Sequence, residues 1–258
     1  LSKIFTALIS DNKRITSNHY LLTLHPLQRI IKPQAGQFFM VSLGDCLDPL
    51  LRRPFSLYRW FGGDFQILYR VVGKGTEILS RKRGGERIDI LGPLGRGFPV
   101  DELKKERIIL VAGGLGIAPI FALAEDVKKK APILFYGAVS SDTLLCQDEI
   151  RSMGIKTFIS TEDGTIGRKG VITDLLIEYL DRTSSFEDNP VIYSCGPVPM
   201  LKRVSDIIRR YRLQGFVSTE EKMACGIGAC LGCIIKTKDG YRRVCKDGPV
   251  FLAEEIIW

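Results

Sequence analysis

Three cysteines fall within nine residues, Cys225-Gly226-Ile227-Gly228-Ala229-Cys230-Leu231-Gly232-Cys233, and Cys245 follows after eleven more. This cluster constrains the fold more than any other feature. Residues 214–258 are rich in Gly and Cys and too short to bury a core of their own, so something inorganic must pin them. The spacing C-x4-C-x2-C, with a distant fourth cysteine, is the plant-type arrangement for a [2Fe-2S] cluster, in which four thiolates surround two bridged irons. Gly226, Gly228, Ala229 and Gly232 let the backbone turn sharply around such a cluster and present amides to its sulfurs. Lys222, Arg242, Arg243 and Lys246 stand close in sequence to offset its negative charge. A four-cysteine zinc site is the alternative, although zinc sites usually pair two short knuckles and here the fourth cysteine stands alone. Buried or disulfide-bonded thiols are a further alternative. An odd total of seven cysteines with one tight group reads as metal or redox chemistry in a reducing compartment, not as a disulfide framework. The remaining three, Cys46, Cys146 and Cys195, read as small buried residues.

Ahead of this tail the hydrophobic rhythm changes once. Up to about residue 97, short apolar or alternating runs (KIFTALI, HYLLTLH, GQFFMVSL, PFSLYRW, DFQILYRVV, ERIDIL) are separated by Asp, Asn, Gly and Pro. Six strands in a small antiparallel barrel are expected. From Arg107 to about Leu213, buried runs (RIILVAG, PILFYGA, IKTFIS, PVIYSC) alternate with helical stretches (APIFALAEDVKKK, VITDLLIEYL, PMLKRVSDIIRRYRL). That alternation predicts a parallel sheet with crossover helices. The expected division is therefore a barrel over residues 1–98, an α/β unit over 99–213 and a cluster segment over 214–258. No apolar run approaches the roughly 20 residues of a membrane span, and the opening LSKIFTALIS lacks the layout of a secretory signal. A cytoplasmic protein without membrane contact is expected. The net charge of +8 suggests anionic partners such as phosphates or an acidic protein face. The runs Arg81-Lys82-Arg83 and Lys128-Lys129-Lys130 read as solvated surface, and no nucleic-acid motif accompanies them.

Two further motifs carry chemistry. Strand RIILVAG runs into Gly113-Gly114-Leu115-Gly116-Ile117-Ala118-Pro119 and then a helix, so glycines and free N–H groups can approach a pyrophosphate. This is short of the full G-x-G-x-x-G fingerprint, and packing alone could also demand the glycines. Strand PVIYSC ends in Cys195-Gly196-Pro197, which puts a second glycine turn at the carboxyl edge of the same sheet, where ligands bind in such folds. In the barrel half, Arg52-Arg53-Pro54-Phe55-Ser56-Leu57-Tyr58 offers a guanidinium for phosphate and a hydroxyl for a ring nitrogen or oxygen. Leu68-Tyr69-Arg70-Val71-Val72-Gly73-Lys74-Gly75-Thr76 follows, with Thr76 as the expected N-cap of a phosphate-friendly helix. Two ordinary edge strands with a basic face would look much the same.

RRPFSLY, LYRVVGKGT, GPLGRGF, AGGLGIAP and YSCGP, in that order, resemble the ferredoxin-NADP reductase superfamily, an FAD-binding barrel followed by an NAD(P)-binding domain. With EEKMACGIGACLGCIIKT and RRVCKDGPVF, the whole chain is similar to the electron-transfer subunits of bacterial dihydroorotate dehydrogenase B. The resemblance implies FAD contact at Arg53, Pro54, Phe55, Ser56, Leu68, Tyr69, Arg70, Gly75 and Thr76. It implies cluster ligation by Cys225, Cys230, Cys233 and Cys245. It also implies a nicotinamide nucleotide site at Gly113, Gly114, Gly116, Cys195, Gly196 and Pro197, with Cys195 near the nicotinamide. Phe55 departs from the aliphatic residue common there in relatives.

The implied activity is that of an oxidoreductase subunit. Nicotinamide exchanges electrons in pairs and a [2Fe-2S] cluster singly, so a flavin must stand between them. In the family, electrons pass from dihydroorotate through the FMN of a separate catalytic subunit, then the cluster and FAD, to NAD+, in a heterotetramer of two plus two chains. No candidate general base for dihydroorotate itself is visible, since the only histidines, His19 and His25, lie in or beside an N-terminal strand and read as structural. A partner is therefore required. A sister flavin and iron–sulfur subunit of a ferredoxin:NADP oxidoreductase or a hydrogenase is the second reading, and a zinc-stapled module without redox function the third. The stretch FYGAVSSDTLLCQDE lacks an arginine pair for a 2′-phosphate, which favours NAD over NADP.

Overall fold

The computed structural model describes residues 3–44, 48–100, 107–183 and 190–258; Cys46 lies outside them. In the N-terminal half, β1 (Lys3–Arg14), β2 (His19–Pro26), β3 (Phe38–Val41), β4 (Arg53–Ser56), β5 (Arg59–Phe61), β6 (Asp64–Arg70) and β7 (Arg87–Leu94) form an antiparallel sheet ordered β4-β3-β7-β1-β2-β6-β5. It contains seven strands where six are expected. The run PFSLYRW breaks in two because Leu57 and Tyr58 both turn inward, 2% and 1% exposed, and end β4 before β5 begins. The sheet rolls on itself. Phe39 of β3 stacks on Phe65 of β6 with centroids 4.3 Å apart, although three strands separate them in the hydrogen-bonding order. Helix α1 (Lys74–Arg81) crosses between β6 and β7.

The second sheet is built from β8 (Ile108–Gly113), β9 (Ile133–Ala138), β10 (Lys156–Thr161), β11 (Arg168–Lys169), β12 (Val191–Cys195), β13 (Gln214–Ser218) and β16 (Val250–Leu252). Its order is β11-β10-β9-β8-β12-β13-β16, parallel except for β16. Connecting helices are α2 (Ile117–Val127), α3 (Gln147–Met153), α4 (Ile172–Arg182) and α5 (Val198–Tyr211). Strands β8, β9 and β12 are buried along their whole length, as a parallel strand covered by helices on both faces must be. From β8 the chain winds outward through β9 and β10, then returns to place β12 on the other side of β8. The gap between the carboxyl ends of β8 and β12 is therefore the topological switch point.

Residues 214–258 do not stand apart from the other two layers. Strands β13 and β16 extend the α/β sheet, while β14 (Ile234–Thr237) and β15 (Gly240–Arg243) form a hairpin leading to the one-turn helix α6 (Val244–Asp247). The same tail reaches the barrel, where the Arg96 amide donates to the Gly248 carbonyl at 2.6 Å. Barrel and α/β layer also meet directly. Tyr58 stacks on Phe121 at 4.6 Å, Arg59 pairs with Glu125 at 2.7 Å, and the Tyr193 hydroxyl donates to the Pro99 carbonyl at 2.6 Å. Among the described residues, no helix is long and apolar enough to cross a membrane.

Candidate functional site

The flavin motif lies on the edge of the barrel sheet. Strand β3 is buried on both faces, whereas every residue of its neighbour β4 is only half-buried, leaving Arg53 to Ser56 accessible along an edge. Gly75 brings α1 to this edge: a methyl group built on Gly75 would lie 2.7 Å from Leu43 Cδ1 and 3.1 Å from Arg53 Nε. The Arg53 guanidinium thus rests at the start of α1, where a cation and free helical amides can share one phosphate. Thr76 occupies the third helical position, not the N-cap, which falls to Gly73. Its hydroxyl accepts from the amides of Val72 at 2.9 Å and Gly73 at 3.2 Å, so it ties down the turn ahead of the helix. Phe55 meets Tyr69 edge to face at 5.6 Å, and Tyr69 donates to Asn12 Oδ1 at 3.1 Å. Leu68 is buried and Arg70 exposed at the end of β6. Together, a half-buried edge, an apolar wall and a converging cation suit a flavin with its pyrophosphate.

At the switch point the two glycine turns interlock. Side chains on Gly113 and Gly196 would collide with Met200, and one on Gly116 with the Cys195 carbonyl. These three glycines are demanded by packing. Gly114 differs, because it combines φ of 51° with nothing within 4 Å of an added methyl group. The space beside it leaves room for a ligand to approach its backbone. Pro197 caps α5, and Cys195 is buried beside Ser218 and Glu220. Burial, with the Glu220 charge adding to it, pushes the Cys195 thiol up, so it stays protonated. Glu220 is exposed as a residue, yet desolvation of its carboxyl raises it above the usual carboxylate range. Ser218 and Glu220 lie outside the glycine turns and the cysteine spacing. Their one signal is position: Ser218 ends β13 and Glu220 lies two residues beyond it, at the carboxyl edge of the sheet.

The four cysteines of the tail come together in two pairs. Cys225 and Cys230 lie within hydrogen-bonding reach of each other, as do Cys233 and Cys245. Two thiol pairs are what two bridged irons require, whereas a tetrahedral zinc site gathers four sulfurs around one point. Backbone amides point at the sulfurs: Gly228 N–H donates to Cys245 Sγ at 3.1 Å, Ile227 N–H to Cys225 Sγ at 3.4 Å and Cys245 N–H to Cys233 Sγ at 3.4 Å. Burial works against ionisation of Cys225, but the amides of Cys230 and Ile227 outweigh it and bring the thiol down to about 6. Burial and the neighbouring Cys233 thiol push Cys245 up to about 12, a crowding of like charges that cationic iron would relieve. Arg243 is clamped by Asp247, with Nε to Oδ2 at 2.9 Å, and reaches the Gly228 carbonyl at 3.3 Å. Cys233 and Cys245 are each 2% exposed, while Cys230 faces solvent beside Leu231, 58% exposed.

Known proteins share this arrangement from end to end. Residues 220–257 match the model of the iron–sulfur cluster binding domain of dihydroorotate dehydrogenase B, and residues 110–206 that of the oxidoreductase NAD-binding domain. A protein of Fusobacterium nucleatum named dihydroorotate dehydrogenase B (NAD(+)), electron transfer subunit, is 38% identical over 98% of each chain. The chain belongs to this family. A Geobacillus member is 40% identical over 95% of each chain. A solved structure of an NADH-dependent reduced ferredoxin-NADP oxidoreductase, described for flavin-based electron bifurcation, superposes with a TM-score of 0.85 at 28% identity, covering 98% of this chain and 90% of that one. As a dihydroorotate dehydrogenase B electron transfer subunit by family, the chain has a ferredoxin reductase-like fold with a C-terminal cluster-binding region, and it is an oxidoreductase subunit.

Proposed function

We propose that this chain passes electrons between the FMN of a dihydroorotate-oxidising partner and NAD+, in pyrimidine biosynthesis. The observation that carries the reading is spatial: the paired thiols, the β4 edge and the switch-point turns belong to one continuous body, bridged by the tail. When bound, FAD exchanges electrons in pairs with a nicotinamide and singly with a [2Fe-2S] cluster, which is the conversion that the pathway needs. The division of labour among residues follows. Arg53 and the start of α1 hold the flavin phosphates, with Gly75 and Thr76 shaping that turn. Pro54, Phe55, Ser56, Leu68, Tyr69 and Arg70 line the flavin. Gly113, Gly114, Gly116, Gly196 and Pro197 receive NAD, with Cys195 as a neutral thiol beside its nicotinamide. Cys225, Cys230, Cys233 and Cys245 hold the irons, and the amides aimed at their sulfurs offset the cluster's charge.

The partner is a catalytic subunit carrying FMN, in an assembly of two plus two chains. Ile227 and Leu231, 53% and 58% exposed, flank the outward Cys230 in the cluster loop, and Tyr241 of the following hairpin is 70% exposed. Lys222, Arg242 and Lys246 stand near them in sequence. An apolar tip rimmed with basic residues suits a partner face that is apolar at its centre and acidic at its margin. The test is coexpression with an FMN-containing dihydroorotate dehydrogenase, purification of the complex and assay of dihydroorotate-dependent NAD+ reduction. Copurification with activity is expected; a chain that carries flavin and iron but neither binds such a partner nor supports the reaction refutes the proposal. The likeness to the ferredoxin-NADP oxidoreductase over 98% of the chain favours a second reading, a subunit serving ferredoxin and NADP(H). That reading predicts ferredoxin-linked and no orotate-linked turnover from the same preparation.

A further inference from the structure

Strand β3 lies beside the proposed flavin strand, and one of its residues, Met40, stands opposite that strand in register while its side chain packs against the cluster loop. Cross-strand register places Met40 opposite Pro54 of β4. Residues directly opposite in an antiparallel pair project to the same face, so Met40 and Pro54 share one side of the sheet. Phe39 and Val41, the neighbours of Met40, face the barrel core, while Met40 and Phe38 join Leu94, Cys233, Val244 and Cys245 in a second buried cluster on the opposite face. Gly226, next to the proposed ligand Cys225, is pressed against this side chain. A methyl group built on Gly226 would lie 2.6 Å from Met40 Cγ and 3.2 Å from Met40 Sδ, and φ there is 72°. Met40 itself is fully buried.

We infer that Met40 is a positioning residue that sets the spacing and electronic contact between flavin and cluster. The inference rests on the cofactor assignment above. Electron transfer between fixed centres slows steeply when packed atoms are replaced by a gap, and a thioether is both gap-filling and polarisable. The step makes and breaks no bond: of the two electrons that NADH delivers to the flavin, one passes to the iron pair and the other stays on the flavin. Truncation at Met40 opens a gap on this line without removing a ligand to either group.

The test uses the purified full chain with its flavin and cluster, as wild type, Met40→Ala and Met40→Leu. Flavin and iron contents are measured first, then rapid mixing with NADH follows flavin bleaching and cluster reduction separately, with the reduced cluster identified by electron paramagnetic resonance. In Met40→Ala, flavin reduction should proceed at the wild-type rate, while cluster reduction slows by up to about 100-fold, the loss that a misplacement of order 1 Å can cause. Met40→Leu, which conserves volume, should restore most of the rate. An unchanged cluster reduction rate in Met40→Ala overturns the inference. So does loss of iron or flavin in both variants, since Met40 would then only support the fold. A wild-type chain that retains neither flavin nor iron removes the underlying cofactor reading instead.

Discussion

The switch-point turns and the cluster loop both depend on glycine, but for opposite reasons. At the switch point, Gly113, Gly116 and Gly196 are fixed by contacts between two strand ends that the parallel sheet has already brought together. At the cluster, Gly226 and Gly228 hold φ of 72° and 81° in a loop without secondary structure of its own between β13 and β14. The first site is made by the fold. The second has two thiol pairs crowded against one another, and only a metal turns that crowding into attraction. The nucleotide edge should therefore keep its shape when the irons are lost, and the cluster loop should not.

The largest effect expected from this contrast is at the thiols. Cys245→Ser should remove the cluster's visible absorbance and cut partner-linked NAD+ reduction by more than the roughly 10–100-fold typical of losing an outer-sphere partner. NADH-driven reduction of an artificial acceptor that takes electrons from the flavin should persist. Loss of both activities would mean that the loop supports the other two sites. Next, Arg53→Ala removes charge-assisted hydrogen bonds worth about 1.5–3 kcal/mol, or about 10–100-fold in FAD affinity, measured by fluorescence titration of the stripped protein. A smaller difference should separate two glycines with left-handed backbone. Gly226→Ala meets both Met40 and an unfavourable φ and should cost about 1–3 kcal/mol, seen as lowered iron content and earlier thermal unfolding. Gly114→Ala meets open space but the same left-handed strain and should cost about 1–2 kcal/mol, with weakened NAD binding as its main sign.

The smallest effect lies far from either site. His19 is buried with Nδ1 2.7 Å from Thr16 Oγ1, and burial, helped by the Arg70 charge, lowers its pKa below 6.5. The unfolded chain then takes up this proton at a higher pH than the folded one. Stability contributed by the neutral ring is intact above pH 6.5 and declines as the pH falls through the folded value. His19→Gln should flatten that decline in a thermal unfolding series from pH 7.5 to about 5, leaving NADH-driven flavin reduction unchanged.

The two regions were also unequally legible in sequence. Cysteine spacing is a chemical code, so Cys225, Cys230, Cys233 and Cys245 could be grouped without knowing any contact. The glycine turns announced a carboxyl edge, yet which glycine faces ligand and which faces Met200 depends on packing, and the sequence contains no trace of it. The split of PFSLYRW at Leu57 and the position of Thr76 escaped for a related reason. Both are decided by which side chains turn inward, not by local propensity. Strand β16 was invisible because a three-residue run gains its identity only from the strand it joins. Met40 was hidden altogether, since an apolar residue in an apolar run looks the same whether it faces a barrel core or a metal loop.

That short strand has an engineering consequence. Because β16 hydrogen-bonds to β13 while Gly248, two residues before it, accepts from Arg96, the tail works as a rivet through two plates. Transplanting residues 220–258 alone onto an unrelated reductase would import the ligands without the surfaces that seat them. A workable graft must carry the outer faces of β3 and β7 along with it.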